Sequence, residues 1–193
     1  MVKNKLNIKY YGDPVLNKVS SKIDVITEET RNLAVKMIEA MYEYDGVGLA
    51  ASQIGLNRSL IVINLSLEYL QQSDFAISPG EALLLPQMPV ALVNSEITSF
   101  GTEISTAEEG CLSIPEIYAP ITRPTTITLR AQMLSGETIN IECGGFLARV
   151  LLHEVDHLKG ILFIERLNPE DNRKIRKKLD KLKKRLTKKG FIN

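Results

Sequence analysis

The apolar positions change period several times along the chain, and each change marks an element. Leu33, Met37, Met41 and Tyr44 recur at helical spacing over 28–44, with Thr27 placed to cap the N-terminus and Asp45-Gly46 to stop the helix. Leu60 to Leu65 is an almost unbroken apolar run, the mark of a buried strand, and Val90 to Thr98 reads as a second strand. Over 125–133 the pattern alternates, with Thr125, Ile127, Leu129, Ala131 and Met133 on one face. Ser135-Gly136 then turns the chain into 138–141, which predicts a hairpin. From Phe146 to about Leu158 the period becomes helical, with no Gly or Pro inside. Pro169 opens a last helix, 170–188, whose Ile175, Leu179, Leu182 and Leu186 keep one apolar stripe. Residues 8–16 read as a short extended piece entering a Gly-Asp-Pro turn. Residues 66–89 have no clear period and read as a long surface excursion with at most one helical turn. No internal repeat is visible.

Composition narrows the class. The chain has 193 residues, 44% hydrophobic and 24% charged, which is ordinary globular usage and one domain's worth of length. No apolar run approaches the ~20 residues needed to cross a bilayer. The opening residues lack the apolar stretch of a signal peptide, so no membrane association is expected. Two cysteines, Cys111 and Cys143, are too few for a disulfide scaffold and fit a reducing, cytoplasmic location. The net charge of +1 hides an asymmetry. Residues 170–189 hold eleven Lys or Arg against three acids, so a +8 segment is attached to a −7 remainder. We therefore expect a body over 1–169 and a basic helical extension over 170–193, with a polyanion as a candidate partner of the extension.

The chemistry concentrates in one motif. The only two histidines, His153 and His157, lie four residues apart in His153-Glu154-Val155-Asp156-His157, an H-E-x-x-H on a predicted helix. Residues i and i+4 share a helix face, so two imidazoles can grip one divalent metal, and Glu154 can act as base toward a water beside it. With no third His, a third ligand has to be Cys, Asp or Glu. Glu109-Gly110-Cys111-Leu112-Ser113 offers Cys111, in a Gly-containing loop after a strand-like region, and a thiolate suits zinc or ferrous iron. A free Cys is most often simply buried, and Cys143 is expected to be such a thiol. Gly46-Val47-Gly48-Leu49-Ala50-Ala51-Ser52-Gln53 lacks a full phosphate-loop pattern. It reads either as a tight turn packed through Ala50-Ala51 or as a loop beside a substrate, with Gln53 as a donor. Two other functions compatible with H-E-x-x-H are a general endopeptidase and a closed, structural metal site.

Together, 46–53, 109–113 and 152–157 resemble the peptide deformylases, which carry G-x-G-x-A-A-x-Q, E-G-C-L-S and Q-H-E-x-D-H motifs in this order. Tyr11-Gly12-Asp13-Pro14-Val15-Leu16 and Val93-Asn94-Ser95-Glu96-Ile97 look like that family too, and the resemblance covers most of 8–168. Leu152 stands where the family usually has Gln. The resemblance implies an α+β fold with antiparallel sheets around a central H-E-x-x-H helix. It also implies removal of the formyl group from N-formylmethionyl nascent peptides. The implied metal ligands are Cys111, His153 and His157, holding Fe2+ with Ni2+, Co2+ or Zn2+ as substitutes. Glu154 would be the base, while Gln53 and the Leu112 backbone N–H would meet the developing oxyanion. Val47, Gly48, Glu109, Gly110, Phe146 and Val150 would form the substrate pocket. Enzymes of this kind act on chains leaving the ribosome, so the basic helix is expected to dock there.

Overall fold

The computed structural model describes residues 6–66 and 77–192. Its elements are α1 (Glu28–Glu43), β1 (Gly48–Ala50), β2 (Leu60–Ile63), α2 (Pro79–Leu84), β3 (Val90–Phe100), β4 (Ile104–Cys111), β5 (Ile114–Pro124), β6 (Thr126–Met133), β7 (Thr138–Gly144), α3 (Gly145–Leu158) and α4 (Pro169–Lys188). An antiparallel sheet runs β1-β2-β3-β6-β7, and β4 and β5 form a separate antiparallel pair. The protein is α+β, with the H-E-x-x-H sequence on α3.

The unbroken apolar run of β2 is explained by helices on both faces of the sheet. Successive strand residues point to opposite faces. Ile61 and Ile63 join the core under α3 with Leu92, Leu129, Leu151 and Val155. Leu60 and Val62 join the core under α1 with Ala34, Met37 and Met41. A third core lies between the β5 residues Ile117, Ala119 and Ile121 and the α4 stripe of Ile175, Leu179, Leu182 and Leu186. The cap of α1 is as its sequence predicts, with Thr27 Oγ1 accepting from the Thr30 N–H at 3.4 Å. The β6–β7 hairpin also forms, its turn taking Gly136 to φ +94°, where glycine is favoured.

Three local readings change. The glycine-rich segment at 46–53 is not a loop: Gly48–Ala50 is a fully buried strand paired with β2, and Ala51–Ile54 is a 3-10 turn. Its alanines are packed because Ala50 faces the α3 side of the sheet and Ala51 the α1 side. Cys111 ends a strand, with Leu112-Ser113 as the turn into β5. Of the expected excursion at 66–89, residues 67–76 lie outside the described residues. Residues 79–87 form α2 and a 3-10 turn, with Leu84 and Leu85 buried in the core under α3. The Ser78 cap of α2 also accepts the Gly144 N–H at 3.0 Å, tying α2 to the start of α3.

Candidate metal centre and cavity

The centre is assembled from one strand end and one helix. Cys111 terminates β4, and α3 presents His153 and His157 on successive turns, with ring centroids 5.1 Å apart. One ligand atom from each of the three residues lies within 4.8 Å of the others. The Cys111 Sγ is 3.2 Å from His157 Nε2 and 3.4 Å from Gln53 Nε2. Burial opposes ionisation of Cys111, but the two histidines overcome it and hold the thiol well below its ordinary range. Cys143 behaves oppositely: it is buried in β7, and burial with Glu81 and Glu142 nearby pushes its pKa up to about 12.

A charged lattice fixes the orientation of these groups. His153 Nδ1 lies 3.1 Å from Glu109 Oε2, which leaves its Nε2 for the centre. Despite burial, hydrogen bonds from His153 and Arg123 bring the Glu109 pKa down to about 2. Arg123 is 4% exposed and bonds both Glu109 oxygens, at 2.7 and 2.9 Å, and Asp156 Oδ2 at 2.8 Å. Arg149 adds a bond to Glu109 at 2.8 Å, and Arg166 grips Asp156 at 2.6 and 3.1 Å. Glu109 lies two residues before Cys111 in sequence, and Asp156 sits between the histidines. Arg123 thus ties the strand carrying the thiol to the helix carrying the imidazoles. Against burial, His153 is raised to about 10 by its hydrogen bonds to Cys111 and Glu109, with the charges of Cys111 and Glu154 adding to the rise.

Glu154 is 4% exposed, and burial pushes its pKa up to about 7. Its Oε2 has no hydrogen-bond partner among the described residues, so a buried acceptor is left for a water or a ligand. A Cβ on Gly48 would strike the Glu154 carboxylate, so glycine there leaves room for it. Gln53 accepts the Ala50 N–H through Oε1 at 2.7 Å, which aims its Nε2 at Cys111 and Ser113. These residues line a cavity of about 480 Å³. Val47, Gly48, Gln53, Glu109, Gly110, Cys111, Leu112, Phe146, Val150, His153 and Glu154 all line it. His157 lies behind Cys111 and is 1% exposed.

Sequence reasoning did not find Arg123, Arg149 or Arg166, and gave Ser113 no role beyond its place in the 109–113 motif, where the structure sets it against Gln53. Asp156 carried a signal, since it stands inside the motif. Arg123 carried none, because only the β4–β5 register brings it opposite Ser105 and onto Glu109. Leu152 is buried in the apolar core under α3.

The donor set fits a divalent metal. One anionic sulfur and two imidazoles converge, one imidazole is oriented by a carboxylate, and an orphaned buried carboxyl oxygen lies alongside. A family model described as polypeptide deformylase matches residues 5–173. Peptide deformylase of Prochlorococcus marinus (strain MIT 9312) is 40% identical over 189 residues, 98% of this chain and 82% of that protein. The crystal structure of peptide deformylase from Thermotoga maritima superposes with a TM-score of 0.72 at 37% identity, covering 86% of this chain and 99% of that one. A crystal structure of Arabidopsis thaliana peptide deformylase 1B gives 0.80 at 33% identity, covering 95% and 93%.

Proposed function

The chain belongs to the polypeptide deformylase family, and from that premise we propose how its own residues perform the reaction and where they do so. It is a metal-dependent hydrolase that removes the formyl group from the N-terminal formyl-methionine of newly synthesised polypeptides. The observation that carries the assignment of roles is the convergence of Cys111, His153 and His157 beside the buried, unpartnered Glu154 oxygen.

In this reading Cys111, His153 and His157 hold Fe2+, with Ni2+, Co2+ and Zn2+ as substitutes. One thiolate and two imidazoles suit all four ions, and the preference for iron comes from the family. The bound cation supplies Lewis acidity, which polarises the formyl carbonyl and makes water more acidic. Glu154 takes the proton from the attacking water and passes it to the departing amine. A carboxylate raised toward neutrality is matched to both transfers. Gln53 Nε2 and the Leu112 backbone N–H donate to the formyl oxygen as negative charge develops there. The methionine side chain enters the apolar part of the cavity beside Val47, Phe146 and Val150, and Gly48 and Gly110 allow the peptide backbone to approach. Glu109 borders that pocket and acts chiefly through His153.

The test joins metal analysis of anaerobically prepared protein to an assay on a formyl-methionyl dipeptide. We expect about one divalent ion per chain and release of formate without cleavage of internal peptide bonds. Cleavage of internal bonds, with the formyl peptide untouched, would instead indicate an endopeptidase. We further place the enzyme in the cytoplasm, at the ribosome, through the basic face of α4. Its lysines and arginines point away from the apolar stripe that packs on β5. Co-sedimentation with ribosomes should then fall steeply with added salt, because each phosphate contact releases counterions.

A further inference from the structure

Resting on the deformylase reading, we propose that Ser78 and Glu81, at the start of α2, are positioning residues for the helix that carries the histidines. They supply from another element the N-terminal cap that α3 lacks in its own sequence, and through it they hold Phe146 in the cavity wall.

Helix α3 opens on Gly144-Gly145, so its entry has no side chain to cap it, and Gly144 makes no side-chain cap bond. The entry is held from outside instead. The Gly145 N–H donates to the Thr125 carbonyl at 2.9 Å, and the Gly144 N–H donates to Ser78 Oγ at 3.0 Å. Ser78 is itself locked. Its hydroxyl and its N–H both donate to Glu81 Oε2 at 2.8 Å, and the Glu81 N–H donates back to Ser78 Oγ at 3.3 Å. These bonds form the capping box of α2, with Pro79 behind the cap, and the same box serves a second helix. Glu81 is buried, with its carboxylate against the first turn of α3: a Cβ on Gly145 would stand 3.6 Å from Oε1, and one on Gly144 3.8 Å from Oε2. A carboxylate there faces the positive end of the helix dipole. Gly80 sets the depth at which α2 seats. A Cβ there would strike Cys143 Sγ and lie 2.7 Å from the Glu142 carbonyl oxygen, so glycine lets α2 reach β7 closely enough to deliver the cap.

The anchors of α3 are divided along its length. Glu109, Arg123 and Arg166 hold the metal end through His153 and Asp156. Arg149 ties the second turn to Ser105 and the Ile121 carbonyl. The first turn, which carries Phe146 into the cavity, depends on α2 and on Thr125. Phe146 precedes His153 by seven residues, ~10 Å along the axis, whereas the influence of a helix end fades within one turn. Loosening the cap therefore disturbs the wall that receives the methionine side chain and spares the metal ligands.

The test compares Ser78→Ala, Ser78→Thr and Glu81→Gln with the wild type. On formyl-Met-Ala, metal-loaded Ser78→Ala should show KM raised about three- to tenfold, with kcat within about twofold and unchanged metal content. Ser78→Thr keeps the hydroxyl and should return KM close to wild type. Glu81→Gln keeps the shape of the box and should shift KM in the same direction by less. Amide hydrogen exchange on the substrate-free proteins should quicken in Ser78→Ala over 144–150 and stay as in wild type over 153–158. An unchanged KM beside a lowered Tm would make Ser78 a structural cap only and overturn the proposal. So would loss of kcat with loss of metal, or faster exchange spread evenly along α3. Absence of turnover by the wild type would overturn the deformylase reading instead, and the exchange pattern would still decide whether the cap acts on the first turn.

Discussion

Helices α3 and α4 are both amphipathic, and both carry a dense charged face opposite an apolar one. On α3 that face is turned inward: Arg149, Glu154, Asp156 and His157 are all buried, and every guanidinium and carboxylate around them meets a specific partner except the Glu154 oxygen that opens on the cavity. On α4 the charges stand in water. Lys174 bridges Glu170 and Asp171 at 2.9 and 2.8 Å with its side chain 62% exposed, and Arg176 reaches Asp180 only at 3.9 Å. The same residue types thus do different work. In α3 each charge has one fixed task and cannot be lost without leaving a buried partner exposed to an apolar environment. In α4 the charge acts as a sum, and single members are interchangeable.

Glu154→Gln attacks the one α3 group left open and should have the largest effect. Turnover should drop about 10²–10⁴-fold, the usual range for loss of a general base, while the metal content of the purified protein stays as in the wild type. A kcat near wild type would move the base elsewhere. Arg123→Met strips the lattice behind α3 and should destabilise the fold by about 3–5 kcal/mol, read by urea denaturation at pH 7. That loss carries a pH signature. Glu109 has a folded-state pKa near 2 against an ordinary 4.5, so its contribution is present above 4.5 and lost as pH falls through about 2. The gap between wild type and Arg123→Met should therefore narrow as both are acidified across that window, and a constant gap would deny Glu109 its role.

On α4 the expected effects invert between faces. Leu182→Ala, on the packed stripe, should cost about 2–4 kcal/mol in the same denaturation experiment. Lys177→Ala, on the water face, should change stability by no more than about 0.5 kcal/mol. A large effect at Lys177 would mean that the charged face of α4 has a protein partner, and the contrast between the two helices would fail.

That contrast also explains what could be read from sequence. The stripes of α1, α3 and α4 and the alternation of β6 follow from which side chains meet water, so periodicity exposed them. The His153–His157 spacing is a property of one helix and is legible for the same reason. The strand at Gly48–Ala50 was hidden because both its faces are covered and its residues are small, leaving no alternation. The buried helix at 79–84 is too short for a full apolar stripe. The partners of Glu109 were out of reach for another reason. Arg123 and Arg149 join it across strand register and helix packing, relations that exist only after the chain has folded.

The placement of α4 has a consequence for biosynthesis. Translation is directional, and α4 is made after β4 and β5 have already left the peptidyl-transferase centre. Until it arrives, Ile117, Ala119 and Ile121 have Leu16, Leu162, Phe163 and Ile164 in their cluster but lack the apolar stripe of α4. The newborn chain therefore completes the wall behind the strand that carries Cys111 only after that strand has been made, and a message truncated upstream of Pro169 yields a hairpin with part of its apolar flank uncovered and open to chaperones and aggregation.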